Sequence, residues 1–342
     1  MKVALFLMII GILLLLLGGI PAVFEFMGIQ GFPLDPTSSL FPSHWFLMIY
    51  GFFGALIGNE VLVALSVEWT GRTADNKLII LFIIFTLIGS ISFIYNQQLG
   101  LVLILVAMSI LLYYSKEYLG RSRIGLNPTL YNWLLFLSLM VTVTIIDVQI
   151  SLGYVIPYLN LIFPVSMVFA VMARDISLVT GVKPTKGWEI SLALVLLILG
   201  MTFRLDFLMI LAWILSFHTS GIYKFKGRKY PIIHLFTAWL YLLIGSIFVF
   251  NYDIFIHSIA VGFLFNTVFG VDVVLMDLFI NTFQKRVSIK PSYAPYFLLN
   301  LGLLMRFIYD LGLSLPFFLL SAPLQGIGIL LFFILTLRQV IK

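Results

Sequence analysis

The sequence predicts an all-α fold: a polytopic membrane bundle of about twelve transmembrane helices with both termini cytoplasmic. Three observations predict it. The chain is 62% hydrophobic and 10% charged, with a mean hydropathy of +1.14, more apolar surface than a soluble core of 342 residues can use. Apolar runs of about 20 residues recur from end to end, each long enough to cross a hydrocarbon layer of about 30 Å. Once the runs are threaded through a bilayer, all of the 20 basic residues except Arg204 and Arg306 fall on one side.

The runs lie roughly at 2–23, 44–66, 78–95, 99–115, 128–150, 153–173, 187–203, 205–222, 231–251, 254–282, 292–313 and 315–337. Backbone groups in lipid must pair within the protein, and the strict alternation of a barrel strand is absent, so the runs are helices. The first run is longer than a signal-peptide core and no small-residue cleavage site follows it, so it reads as a retained span. With an inner N-terminus, the inner segments hold Lys2; Arg72 and Lys77; Lys116, Arg121 and Arg123; Arg174, Lys183 and Lys186; Lys224, Lys226, Arg228 and Lys229; Lys285, Arg286 and Lys290; and Arg338 and Lys342. Adding or removing one span scrambles this asymmetry. The net charge of +6 is therefore topological and points to no nucleic acid. No loop is long enough for a soluble domain, so residues 1–342 form a single integral membrane domain in a multi-pass cell-membrane protein. NPTLYNWLLFLSLMVTVTIID (127–147) and KPSYAPYFLLNLGLLMRFIYD (290–310) share a proline near the start and an aspartate 19 residues later. That echo allows a parallel six-plus-six helix repeat.

Orientation converts position into depth at about 1.5 Å per helical residue. His44 and His257 open spans 2 and 10 and fall near the outer surface; His218 and His234 fall near the inner one. Glu60 and Asp272 lie 15 or 16 residues below the outer histidines, in the inner half. Asp147, Arg306 and Asp310 lie in the outer half, and Arg306 and Asp310, four apart, can pair on one helix face. Ionisable groups inside a membrane mark functional sites by default. Glu60 and Asp272 suit a proton path or a polar site, and Asp147 suits a cap. His218 and His234 are interfacial residues or ligands. Neutral imidazole offers a lone pair to iron or copper, and two histidines from different helices can clamp a haem. With no cysteine, thiolate and iron–sulfur ligation are excluded, leaving His, Met and carboxylates for a metal. Met48 lies one turn below His44. Gly51, Gly54 and Gly58 fall on one side of span 2, where they admit a neighbouring helix or a flat macrocycle.

The stretch HWFLMIYGFFGAL with WTGR at 69–72 resembles the NnrS-type family of haem- and copper-containing membrane proteins of nitrogen-oxide metabolism. His44, Met48, Gly51, Phe52, Trp69, Thr70 and Gly71 match that family's helix start, its continuation and the Trp-Thr-Gly after it. Ser43, Phe46 and Leu47 depart from the family's Trp, second His and Glu. HSIAVGF (257–263) is similar to a second family helix start and carries over His257, while the family's later Gly-His-Thr-Gly-Arg has no counterpart. Arg174, in VMARDISLVTG, resembles the Arg of a third segment. The resemblance implies haem, with or without copper, on His44 and His257, and a role in nitrogen-oxide or oxygen-linked electron transfer. Two other readings stand beside it. Size and composition are similar to the hydrophobic, non-catalytic second subunit of archaeal terminal quinol oxidases, whose partners are other respiratory subunits and quinol. The mid-span acids and the echo suit a proton-coupled transporter. No Gly-rich phosphate loop, nucleophile elbow or His-Glu-x-x-His run is present, which sets soluble-enzyme chemistries aside.

Overall fold

The computed structural model describes residues 2–29, 40–182, 187–225, 227, 229–283, 289–313 and 319–341. All regular structure among them is helical. We number the long helices α1 (Lys2–Ile29), α2 (Phe41–Thr70), α3 (Asn76–Tyr95), α4 (Gln97–Ser115), α5 (Leu130–Leu152), α6 (Ile162–Thr180), α7 (Gly187–Phe203), α8 (Asp206–Ser220), α9 (Lys229–Ile247), α10, α11 (Ala294–Asp310) and α12 (Ser321–Ile341). Helix α10 is continuous through Tyr252–His257, a π-helical stretch Ser258–Phe265, and Asn266–Phe283. Among the described residues, nine helices are long and apolar enough to cross a membrane, and Pro157–Met172 and Gly187–Phe203 are shorter apolar helices.

The helix ends follow local chemistry. Asp75, Asn96 and Asn251 each accept a backbone N–H with the side chain at a helix start. Gly71, Gly153 and Gly221 end α2, α5 and α8 in the left-handed region, at φ of 76°, 73° and 65°. Helix α6 begins later than the predicted 153–173. Pro157 forces Ile156 into extended backbone, a 3-10 turn spans Pro157–Leu161, and only then does the α-helix start. Helix α12 runs Ser321–Ile341; the predicted start at 315 lies outside the described residues.

The chain divides into two compact units. The first comprises Met1–Glu25 and Pro33–Ala170, the second Phe26–Phe32 and Val171–Lys342. Helix α2 in the first unit and α10 in the second are sunk among their neighbours. In α2 and α10, 72% of the central apolar window is buried, against 39% in α3. Helix α3 shows the ordinary lipid-facing pattern: Ile80, Ile84, Ile88 and Ile91 are exposed along one stripe while Ile79, Phe82, Ile83 and Phe93 are buried. An apolar stripe left outward on every turn suits a bilayer and not water.

Lipid tails are as apolar as leucine, so helices associate through close packing and hydrogen bonds. Glycines provide the close approach here, and they recur in a pattern. In the first unit, Gly18 of α1 meets the His44 carbonyl and Leu47, and Gly51 of α2 meets Leu14. In the second, Gly245 of α9 meets Ser258 and Ile259, and Gly262 of α10 meets Tyr241. The next two helices form a tight hairpin in both cases. Gly89 and Gly100 close α3 on α4, and Gly302 and Gly328 close α11 on α12. Helices α1–α4 and α9–α12 thus share one plan, and the α7–α8 hairpin, closed at Gly200, matches its second half. Of the stretches 127–147 and 290–310, the second forms one arm of the α11–α12 hairpin, whereas α5 packs mainly on α4.

The three glycines of α2 do not form one seam. Gly51 faces Leu14 of α1, Gly54 faces Met108 of α4, and Gly58 faces Phe82 of α3. The π-helical turn at Leu47–Phe53 rotates the register, and a helix covered on all sides needs a small residue toward each neighbour.

Candidate functional site

His44 stands at the first turn of α2. Its Nδ1 lies 2.8 Å from the Phe41 carbonyl, and its ring stacks on Phe41 at 4.8 Å, 4° from parallel. A carbonyl only accepts, so Nδ1 carries the proton and the neutral ring has its lone pair on Nε2. Met48 reaches toward Gly18, where an added Cβ would sit 3.6 Å from its Cγ. The π-helical stretch follows at once. Deeper in this unit, Tyr50 donates to Asn160 Oδ1 at 2.6 Å, and Asn160 and Gln149 exchange amide hydrogen bonds of 3.1 and 3.2 Å. At the far end of α2 the WTGR motif is a cap. Trp69 Nε1 donates to the Gly120 carbonyl, Thr70 Oγ1 to the Ser66 carbonyl, and Gly71 makes the left-handed turn. Alanine at Gly71 is expected to lower stability by about 1–2 kcal/mol, since open space surrounds it and only backbone strain acts; a denaturation series in detergent reads this directly.

His257 stands at the corresponding point of α10, in the second unit. Its Nδ1 lies 2.9 Å from the Asp253 carbonyl oxygen and 3.2 Å from Asp253 Oδ1. In the neutral ring the lone pair would again be on Nε2. Asp253 is gripped by Arg306 of α11 in a two-pronged pair, Nε to Oδ2 at 2.7 Å and Nη2 to Oδ1 at 2.8 Å. The guanidinium lies 4.3 Å over the Phe26 ring, which also meets Tyr309 edge-on. The sequence places Arg306 with Asp310 on its own helix; the guanidinium turns to Asp253 across the helix interface instead. Asp310 sits beside that pair, within electrostatic reach of both, and its Oδ2 is buried without a hydrogen-bond partner among the described residues.

The remaining histidines separate. His234 is fully buried on α9. Its Nδ1 is 3.1 Å from Asn266 Oδ1, and Asn266 and Asn300 hold each other through reciprocal amide bonds of 3.0 and 3.2 Å. Asn266 Nδ2 also donates to the Gly262 carbonyl and Asn300 Nδ2 to the Tyr296 carbonyl, which orients both amides. Tyr230, Tyr296 and Phe269 surround the imidazole, and its Nε2 has no hydrogen-bond partner among the described residues. His218 is exposed at the end of α8 and bonds buried Glu189 of α7 through Nδ1 at 2.8 Å; Thr219 donates to the same carboxylate oxygen.

Of the other predicted positions, Glu60 and Asp272 are half-buried and Asp147 is exposed. The Arg174 side chain lies outside the described residues. Arg204, the basic residue on the outer side in the threading, donates to the Val249 carbonyl at the end of α9. Asp253, Glu189, Asn266 and Asn300 belong to these clusters and do not stand out among the charged span residues of the sequence. No group of three His, Cys, Asp or Glu side chains converges as a metal site among the described residues. No family model matches the chain, and no curated protein matches it.

Proposed function

We propose that the chain is a twelve-span cell-membrane protein, both termini cytoplasmic, that binds haem, with or without copper, through His44 and His257 in nitrogen-oxide or oxygen-linked electron transfer. One observation carries the reading. Both imidazoles open a deeply buried helix, and both commit Nδ1–H to a backbone carbonyl three or four residues upstream. That fixes ring orientation and tautomer and leaves the lone pair on Nε2, the arrangement that metal-ligating histidines use. Haem iron or copper would supply a reversible one-electron couple. The chain's own part is to hold two imidazoles by Nδ1, His44 with Phe41 stacked on its ring.

The test is an optical spectrum of the purified chain, oxidised and reduced, with copper measured alongside. A Soret band lost in His44→Ala and in His257→Ala is the expected result. A chain carrying neither haem nor copper, purified with its partners shown to be present, ends this reading. Proton-coupled transport is the second reading, favoured by the cluster of Asp253, Arg306 and Asp310, two carboxyl groups and one guanidinium drawn together between two helices. Proton-dependent uptake into proteoliposomes by haem-free protein would establish it. An accessory role in a terminal quinol oxidase would show as stable copurification with a haem-bearing subunit.

A further inference from the structure

Both outer histidines use the same backbone device, Nδ1–H on an upstream peptide carbonyl. Behind His257 there is a carbonyl and also a carboxylate, 3.2 Å from the same nitrogen. That carboxylate is held by a two-pronged guanidinium, which is held in turn against Phe26. We propose that Asp253 and Arg306 are opposed positioning residues that set the donor strength of His257. The proposal rests on the cofactor reading above and adds residues that reading does not use.

The argument is electrostatic. A carboxylate accepting from Nδ1–H draws the proton toward itself and gives the ring partial imidazolate character, so Nε2 becomes a stronger donor and favours the oxidised metal. Arg306 works in the other direction. Its two hydrogen bonds take up the lone pairs of Asp253 and temper the pull on the imidazole. Geometry ties all three into one chain across α10 and α11, with the acid at the i−4 position of the histidine. Asp310, beside Asp253, is a further ionisable side chain of this cluster. A carboxylate bonded only to Arg306 would be a structural ion pair; one that also lies on the ligand's second nitrogen is placed to act on the metal.

The experiment is a redox titration of the whole, detergent-purified chain, comparing wild type with Asp253→Asn, Asp253→Glu and Arg306→Gln. Asp253→Asn is expected to raise the midpoint potential of the centre at His257, and Arg306→Gln to lower it. Asp253→Glu is expected to stay near wild type. Opposite signs distinguish a tuned ligand from a loosened fold, which would move both variants the same way. An unchanged potential in Asp253→Asn with the centre retained overturns the proposal, as do shifts of one sign in both variants. If Asp253→Asn loses the centre, Asp253→Glu decides: a centre kept at the wild-type potential supports the proposal, and loss there too overturns it. A wild type with no redox-active centre instead removes the cofactor reading itself, and this inference with it.

Discussion

Alanine at Gly302 is expected to cost the chain about 1–3 kcal/mol or more and to lower its thermal midpoint in detergent sharply. The added Cβ would lie 2.6 Å from the Ser321 carbonyl oxygen and 2.9 Å from the Gln325 nitrogen. Both are backbone atoms of α12, so no side chain can swing aside and the helices themselves must part. Gly100→Ala is expected to behave alike, because its Cβ would fall 2.6 Å from Cα and 2.8 Å from the nitrogen of Phe93 on α3. Gly19→Ala is the control. Nothing lies within 4 Å of its Cβ, and alanine favours a helix over glycine by about 0.5–1 kcal/mol, so that variant should match or slightly exceed wild type. Equal midpoints for Gly302→Ala and Gly19→Ala would mean that the α11–α12 contact does not depend on the missing side chain.

That contrast also shows what could be read from the residues alone. A run of about 20 apolar residues declares its helix because lipid leaves the backbone no alternative. The helices therefore appear close to their predicted places. Their contacts do not follow from the same rule. In lipid every face is apolar, so periodicity separates lipid-facing from protein-facing residues poorly, and α2 and α10 carry no compositional mark of their burial. The π-helical stretches Leu47–Phe53 and Ser258–Phe265 leave no periodic trace either, which is why Gly51, Gly54 and Gly58 read as one seam and instead face three helices.

The polar clusters were readable in part, and for a physical reason. His44 and His257 stand out because a titratable ring at the mouth of an apolar helix is costly and rare. Their partners do not stand out. Asp253 falls one residue before the predicted span, so a survey of span residues passes over it, although its i−4 spacing to His257 was available. Asn266 and Asn300 carry no charge, so a survey of ionisable groups passes over them. Buried amides nevertheless need partners as much as charges do, and in a membrane span an asparagine is as telling as a histidine. The sequence also pairs Arg306 with Asp310, since helical spacing is the only geometry a single stretch offers; the preferred acid lies on another helix, where spacing has no reach.

Asn266→Asp should be among the most damaging single changes in the second unit, and its effect separates a fixed amide pair from a loose polar patch. The amide nitrogen of Asn266 donates to the Gly262 carbonyl at 2.8 Å and to Asn300 Oδ1 at 3.0 Å. A carboxylate there would face both acceptors with oxygen. Asn300 cannot flip to compensate, because its own nitrogen is committed to the Tyr296 carbonyl at 2.8 Å. Two donors are therefore lost from buried acceptors, at about 1–3 kcal/mol each, and the new charge adds its own burial cost. Protonating the carboxyl would restore at most one donor. The variant is expected to accumulate poorly, with a midpoint well below that of wild type. Thr237→Val, which removes only the 2.9 Å bond to the Tyr296 hydroxyl, should shift it far less. The same network makes a spectroscopic prediction in the wild type: the Asn266 oxygen is an acceptor, so the His234 Nδ1 bears the proton and nitrogen NMR of the imidazole should report the Nδ1–H tautomer. An Nε2–H tautomer, or an Asn266→Asp protein as stable as Thr237→Val, would mean that the two asparagines do not hold His234 in place. The joint outcome expected here makes the pair a rigid support, fixing one imidazole orientation at the junction of α9, α10 and α11.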